Sequence, residues 1–366
     1  MGRKKKQAML TADGYSIHTI EMKVHMTSSE WMNAVHTAFS RANQTGTQTY
    51  EIARGAYCCT SASKEGMRLY LTKYDREGNV RPQIKAVINP RRLIDSQSSY
   101  LGILPTDEKS MQRVHDRFTD LMRWFELPEL MEDWTLSRAD LCVNLICPKS
   151  KIARELIRTA RKWPAPPKYK RLYLENKHKI HFRTGAVDLV LYDKTYQMGQ
   201  EGLLVQEEKL PDGVLRIEVQ YRREYVRRQA KKFGTQDDAW ATLRHLTMQS
   251  KTLMLRHIER CFPAGDFCKP MLLAEKIEMS DLPSEMKVRM VILTEALRKR
   301  PTVDHAVEAM KLTRKEAKEV LAAFEKIGLS PIPLRKGFYR DQMLSIPHIL
   351  HQIEDDGSST VVVEEL

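Results

Sequence analysis

Three stretches of this chain place acids, bases and a phenol at every second position. In residues 136–146, Leu141, Val143 and Leu145 point one way, and Arg138, Asp140, Cys142 and Asn144 point the other. In residues 187–194, Leu189 and Leu191 share a face opposite Asp188, Val190, Tyr192 and Lys194. In residues 214–222, Leu215, Ile217, Val219 and Tyr221 stand opposite Arg216, Glu218, Gln220 and Arg222. Side chains two apart on a strand share a face. With the apolar faces under helices, the polar faces would join into one floor. It would hold Asp140, Glu218 and the Tyr192 hydroxyl, with Asp188 as a further candidate.

Such a floor suits phosphodiester chemistry. Converging carboxylates bind hard cations such as Mg²⁺ or Mn²⁺. A metal beside a scissile phosphate offsets the charge that builds in the transition state. A tyrosine hydroxyl can attack that phosphorus and leave a covalent phosphotyrosine. Lys194 or Arg216 could steady the phosphate or lower the phenol's pKa. The plain alternative is a solvated strand face on which Asp140 or Glu218 simply pairs with Arg138 or Arg216.

The order of elements must bring these three stretches together. Residues 16–26 alternate as a half-buried strand, and Thr27-Ser-Ser-Glu30 opens a helix with a capping hydroxyl. Residues 67–73 and 83–89 form two more strands around Arg76-Glu-Gly-Asn79. Asp107–Phe125 carries an apolar helical stripe of Met111, Val114, Phe118, Leu121 and Met122. The pattern restarts with a strand over 135–147, a helix over 150–162 and the stiff linker Trp163-Pro-Ala-Pro-Pro167. Short strands over 171–175 and 179–184 precede the strong ones at 187–192 and 214–221. A basic helix follows from about Arg222 to Lys232. This predicts an α+β fold with a largely antiparallel sheet and helices on one face. A helical C-terminal region follows, with helices over 237–262 and 284–299.

The expected organisation is a basic flexible tail over 1–14, a catalytic domain over 15–235, a helical domain over 236–350, and an acidic flexible tail over 351–366. Within the helical domain, Thr302–Met310, Lys311-Leu-Thr313 and Arg314–Ile327 resemble a helix-turn-helix spanning 302–328, whose second helix could enter a DNA major groove.

Composition narrows the partners. Lys and Arg number 60 against 47 Asp and Glu, a net charge of +13. That excess favours a polyanion. Lys168, Lys170, Arg171, Lys177, Lys179 and Arg183 interleave with Tyr169, Tyr173 and Phe182, which suits single-stranded DNA. Arg222, Arg223, Arg227, Arg228, Lys231 and Lys232 add a basic helix. Six cysteines are too sparse for a disulfide scaffold and lack zinc spacing, so a reducing, cytoplasmic setting is expected. No apolar run is long enough to span a membrane, and the Met1-Gly-Arg-Lys-Lys-Lys6 start is not a secretory signal. No GxxxxGK(S/T) loop is present, so strand opening would fall to a separate helicase.

Four ordered pieces then carry a resemblance: Val87-Ile-Asn-Pro-Arg-Arg-Leu93, Ser137-Arg-Ala-Asp-Leu-Cys-Val-Asn144, Leu189-Val-Leu-Tyr-Asp-Lys194 and Leu215-Arg-Ile-Glu-Val219. Over about residues 16–235 the chain resembles the filamentous-phage gene II replication proteins and their gene II/X-type relatives. More distantly it is similar to plasmid rolling-circle initiators and to relaxases with acidic metal ligands. The resemblance implies nicking of one strand at a replication origin through a tyrosine, retention of the 5′ phosphate, and later rejoining. By motif match it implies Tyr192 as nucleophile, with Tyr196 as a second or alternative one. Asp140 and Glu218 would be the metal ligands, and Lys194 and Arg216 would lie near the phosphate. Arg138, Lys170, Arg171, Lys179, Arg183, Arg216, Arg222, Arg223 and Arg227 would contact DNA. The family's His-hydrophobic-His motif is absent. His178 and His181 are spaced three apart and would face opposite ways on a strand. A conjugative relaxase shares this chemistry. A non-catalytic DNA-binding regulator, or an RNA-binding protein using the sheet face, are the rivals from other classes.

Overall fold

Thr135–Cys147, the longest alternating run, is a 13-residue strand in the computed structural model, and the sheet extends from both its edges. The structure describes residues 9–172, 176–203, 211–354 and 359–362. The first half supplies β1 (Met9–Ala12), β2 (Ser16–His25), α1 (Ser28–Thr45), β3 (Thr49–Ala53), β4 (Ala56–Cys59), β5 (Met67–Tyr74) and β6 (Val80–Ile88). Then come α2 (Pro90–Ile94), α3 (Glu108–Trp124) and the central β7 (Thr135–Cys147). Beyond it lie α4 (Ser150–Lys162), β8 (Lys170–Leu172), β9 (Lys179–Arg183), β10 (Val187–Asp193), α5 (Lys194–Gln200), β11 (Gly213–Arg222) and α6 (Arg223–Phe233). The last part holds α7 (Ala239–Met248), α8 (Ser250–Cys261), β12 (Phe267–Cys268), α9 (Pro270–Glu278) and α10 (Ser284–Lys299). It ends with α11 (Val303–Ala309), α12 (Arg314–Lys326), β13 (Gln342–Met343), α13 (Ile346–His351) and β14 (Ser359–Val362).

The large sheet runs β3-β4-β5-β6-β2-β7-β11-β10-β9-β8, with every neighbouring pair antiparallel. The fold is α+β, as the strand-and-helix alternation predicts. Leu141, Val143 and Leu145 of β7 and Ile217 and Val219 of β11 are fully buried on one face. The helices α1, α4, α7 and α8 pack against the sheet there. Burying one such side chain contributes about 1.5–3 kcal/mol, so this face fixes the register, and parity then commits the other face to the polar set. Thr27 and Glu30 form the expected reciprocal cap at the start of α1.

Several segments depart from expectation. Residues 9–12 are not a flexible tail. They form β1, which pairs with β7 at Thr11–Ile146 and Ala12–Leu145 and with β14 on its other edge. Leu10 and Ala12 are completely buried, so apolar burial holds a segment whose basic neighbours suggested disorder. Gly14, at φ 77°, turns the chain from β1 into β2 along the same edge of β7. Residues 359–362 likewise pair as β14 where a tail was expected, while 1–8, 355–358 and 363–366 lie outside the described residues. The strand expected over 171–175 is seen as β8, and its residues 173–175 lie outside them too. The helix over 237–262 divides at Gln249 into α7 and α8. The hairpin β3–β4 and the helices α5 and α9 had no clear signal. All six cysteines are free and buried. No described helix is long and apolar enough to cross a membrane.

Candidate active site

Register turns the polar face of β7, β11 and β10 into rows. Asn144, Arg216 and Tyr192 stand side by side; Cys142, Glu218 and Val190 form the next row; Asp140, Gln220 and Asp188 the third. On the other edge of β7 the pairing with β2 slips between Ile17 and Thr19. A bulge of this kind re-aims a side chain, and the residue at the slip, His18, sits with Nδ1 4.0 Å from Glu218 Oε1.

Tyr192 donates a hydrogen bond to Glu218 Oε1 at 2.6 Å, and Gln220 donates to Glu218 Oε2 at 3.0 Å. Burial pushes the Tyr192 phenol well above its ordinary 10, and the Glu218 carboxylate adds to the rise. Burial would also raise Glu218, but His18, the Arg216 charge and the hydrogen bonds from Tyr192 and Gln220 hold it below its usual range. The pair is therefore a neutral phenol against an ionised carboxylate, the protonation states a nucleophile and its base require.

Lys194 begins α5, directly after the Asp193 side chain caps it by accepting from the Tyr196 N–H at 3.0 Å. The helix starts where strand parity was expected to continue. Lys194 still lies beside the floor and is only 6% exposed. Burial, and then the charge of Arg216, brings its ammonium down to about 8.

A cleft of about 390 Å³ opens above these groups and is lined by Tyr192, Glu218, Gln220, Tyr196, His178 and Lys179, among others. Tyr196 lies at its rim, 42% exposed. Its ring stacks on His178 at 3.6 Å between centroids and 6° between planes. Tyr192 thus has a carboxylate partner and a buried cation nearby, while Tyr196 presents an open ring face.

Other expected groups take different roles. Arg138 donates from Nε and Nη2 to both Asp140 oxygens at 2.7 Å, and from Nη1 to Glu21 at 3.3 Å. Burial raises Asp140 to about 7 against that pull. Arg216 is not a surface DNA contact. It is fully buried, donating to Asn144 Oδ1 at 2.7 Å and to the Leu101 carbonyl at 2.9 Å, because the segment after α2 covers it. It supplies positive charge from within the floor, in the same row as Tyr192. Asp188 leaves the floor's chemistry too: its Oδ2 accepts from Arg222 at 2.8 Å and Arg183 at 3.1 Å, and lies 2.9 Å from His181 Nε2. Arg171 turns inward, donating to the carbonyls of Arg161 and Trp163, with its guanidinium 5.3 Å from the Phe182 ring centre. Lys170, Arg223 and Arg227 are exposed and Lys179 is half-buried in the cleft wall. In the C-terminal part, α12 packs on α10, and its exposed residues mix Arg314, Lys315 and Lys318 with Glu319 and Glu325.

For a divalent ion, no three His, Cys, Asp or Glu side chains among the described residues converge. Arg138 donates to both Asp140 oxygens, so the expected Asp140–Glu218 ligand pair would share Asp140 with that guanidinium. The nitrogen nearest Glu218 is His18 Nδ1, which also hydrogen-bonds with the Thr19 hydroxyl at 2.9 Å; burial and then Arg216 push this imidazole down to about 3. Glu218 is the one carboxylate in this row, and a hard ion such as Mg²⁺ would take an oxygen from it and fill its remaining shell with water and substrate phosphate. Sequence reading missed His18 because nothing in the alternation signals the bulge.

No protein-family profile matches this chain, and no curated protein matches it. Among solved structures, it is similar to a rolling circle replication initiator protein from Geobacillus stearothermophilus at 10% identity, covering 68% of this chain and 84% of that one, with a TM-score of 0.35. A second likeness is to the complex between the prokaryotic ubiquitin-like protein Pup and its ligase PafA, at 8% identity, covering 91% of this chain and 74% of that one, with a TM-score of 0.13.

Proposed function

We propose that this chain is a DNA strand transferase of the rolling-circle initiator kind, nicking and rejoining one strand through Tyr192. The observation that carries the reading is the Tyr192–Glu218 hydrogen bond at 2.6 Å in a cleft that both residues line. The ordered motifs that resemble gene II-type replication proteins support it, as does the net charge of +13.

In the nicking step, Glu218 takes the phenolic proton as Tyr192 Oη attacks the scissile phosphorus. The Oη–P bond forms and the P–O3′ bond breaks, and the 3′ oxygen leaves with a proton from solvent. The 5′ phosphate stays on Tyr192 until a 3′ hydroxyl reverses the reaction. Lys194 neutralises charge on the non-bridging oxygens, with Arg216, in the same row as Tyr192, adding to the field. A Mg²⁺ or Mn²⁺ held at the Glu218 carboxylate would supply further charge neutralisation at the phosphate. Asp140 joins such an ion only by releasing Arg138. Tyr196, stacked on His178, offers a flat surface for a base of the single strand; its alternative role as second nucleophile is separated by the same assay. The partners are single- and double-stranded DNA at an origin and a separate helicase, in the cytoplasm of a bacterial host.

The test is supercoiled DNA of the encoding replicon with and without Mg²⁺ or Mn²⁺. Metal-dependent open circles with protein on the 5′ end are expected. Tight binding without nicking under either metal would favour a regulator. A transfer origin as the preferred substrate would favour a relaxase.

A further inference from the structure

The polar floor continues past the tyrosine cleft. Asp188, Val190 and Tyr192 share one face of β10, and Gln220, the register neighbour of Asp188, lines the cleft. On that same face Arg183 of β9 stands opposite Asp188, and Arg222 follows Gln220 along β11.

Asp188 is 1% exposed and gathers both arginines. Its Oδ2 accepts from Arg222 Nη2 at 2.8 Å and from Arg183 Nε at 3.1 Å, and lies 2.9 Å from His181 Nε2. Burial alone would raise this carboxyl, but the hydrogen bonds from His181 and Arg222 hold it below its ordinary 3.8. The arginines themselves face water, with side chains 40% and 41% exposed. Among the described residues, Asp188 is the only carboxylate within ion-pair distance of either, and neither guanidinium makes a second hydrogen bond. Two cations on one anion leave a positive surplus, and each guanidinium keeps most of its N–H groups. Arg138, the register neighbour of Arg222, differs: it spends Nε, Nη1 and Nη2 on Asp140 and Glu21.

We propose that Asp188 is a positioning residue that holds Arg183 and Arg222 as one clamp for a backbone phosphate of the single strand whose scissile phosphate lies at Tyr192. The inference rests on the proposed strand transferase and deepens it by fixing where the flanking strand leaves the site. Side chains tied in place before DNA arrives lose less freedom on binding. The unspent edges of the two guanidiniums match phosphate oxygens. Asp188 and Tyr192 are four residues apart on β10, about 14 Å at about 3.4 Å per residue. At about 3.4 Å per nucleotide of a stacked strand, the clamped phosphate lies about four nucleotides from the nick, and fewer in an extended strand.

The test uses the full chain carrying Tyr192→Phe, so that binding is read without cleavage. Labelled single strands of the origin are compared in this background and with Arg183→Gln, Arg222→Gln or Asp188→Asn added, after thermal melting checks each fold. Each arginine variant should reduce the slope of log affinity against log salt by about 0.7, the single-strand value per phosphate contact. A single neutral methylphosphonate walked along the strand should weaken binding at one position away from the nick, and lose that effect in the arginine variants. Asp188→Asn makes the surface more positive, and charge alone would tighten binding at every position alike. A positioning role predicts instead that the one sensitive position spreads over its neighbours. Where Asp188→Asn does not fold, the arginine variants decide. Unchanged slopes with no sensitive position overturn the proposal, as does a slope change seen on duplex but not on the single strand. A position that stays sharp in Asp188→Asn removes the positioning role. The two readings fail separately. Slope changes in a protein that never nicks keep the clamp and sink the transferase; nicking with unchanged slopes does the reverse.

Discussion

Tyr192 and Glu218 meet across neighbouring antiparallel strands at 2.6 Å, Oη to Oε1, although they are not register partners. Glu218 faces Val190, and Tyr192 faces Arg216. The contact is diagonal, within the reach of a long side chain. It places an acid that stays ionised beside a phenol that stays protonated, with Lys194 close by. The proposed chemistry follows from that contrast.

Glu218→Gln keeps a hydrogen-bond acceptor for the Tyr192 hydroxyl but cannot take its proton. Nicking should fall by about 10²–10⁴-fold, the usual range for a lost general base, while DNA affinity holds. Single-turnover cleavage of a labelled origin strand reads this, and a loss under threefold would remove Glu218 from the role.

Lys194 sets a pH dependence. Its ammonium titrates near 8 in the folded chain against an ordinary 10.5. Cleavage should decline as pH rises through about 8, and Lys194→Arg should remove that decline because a guanidinium stays charged. Stability moves the opposite way. Between about 8 and 10.5 the unfolded chain binds the proton that the folded chain has lost, so stability rises with pH across that window. Urea midpoints at pH 8 and 10 should show the rise in the parent chain and a smaller one in Lys194→Met.

Arg216 should matter to the fold as much as to the phosphate. Arg216→Met strands the Asn144 Oδ1 acceptor in a buried place and removes the charge that holds Glu218 ionised. The expected cost is about 3 kcal/mol, at the lower end for breaking a buried charged contact. Urea denaturation measures it, and a cost below about 1 kcal/mol would contradict the buried placement.

The site was legible wherever strand parity decides the matter. Leu141, Val143 and Leu145 announce which face of β7 is core, and the same alternation in β10 and β11 puts Asp140, Glu218 and Tyr192 together on the opposite face. Three things were not legible. Arg216 is covered by Leu101, 115 residues away, and no local pattern reports so distant a contact. His18 reaches Glu218 through a bulge that ordinary alternation conceals. Lys194 opens a short helix because Asp193 caps it, a switch from period two to a turn that one aspartate controls. The acid–base pairing of Asp140 with Arg138, by contrast, was visible as the plain alternative from residues two apart.

Leu10 tests the N-terminal strand. A flexible tail would tolerate Leu10→Ala at no cost. A fully buried leucine on a strand paired to β7 should cost about 2–5 kcal/mol. A shift in the urea midpoint decides between the two.

The most direct measurement is to trap the reaction of the full chain with a 5′-end-blocked origin strand, digest it, and find the nucleotide-bearing peptide by mass spectrometry. The account predicts a phosphodiester on Tyr192 and none in Tyr192→Phe. An adduct on Tyr196 that survives Tyr192→Phe would contradict the central claim, because the phenol paired with Glu218 would then not be the group that attacks.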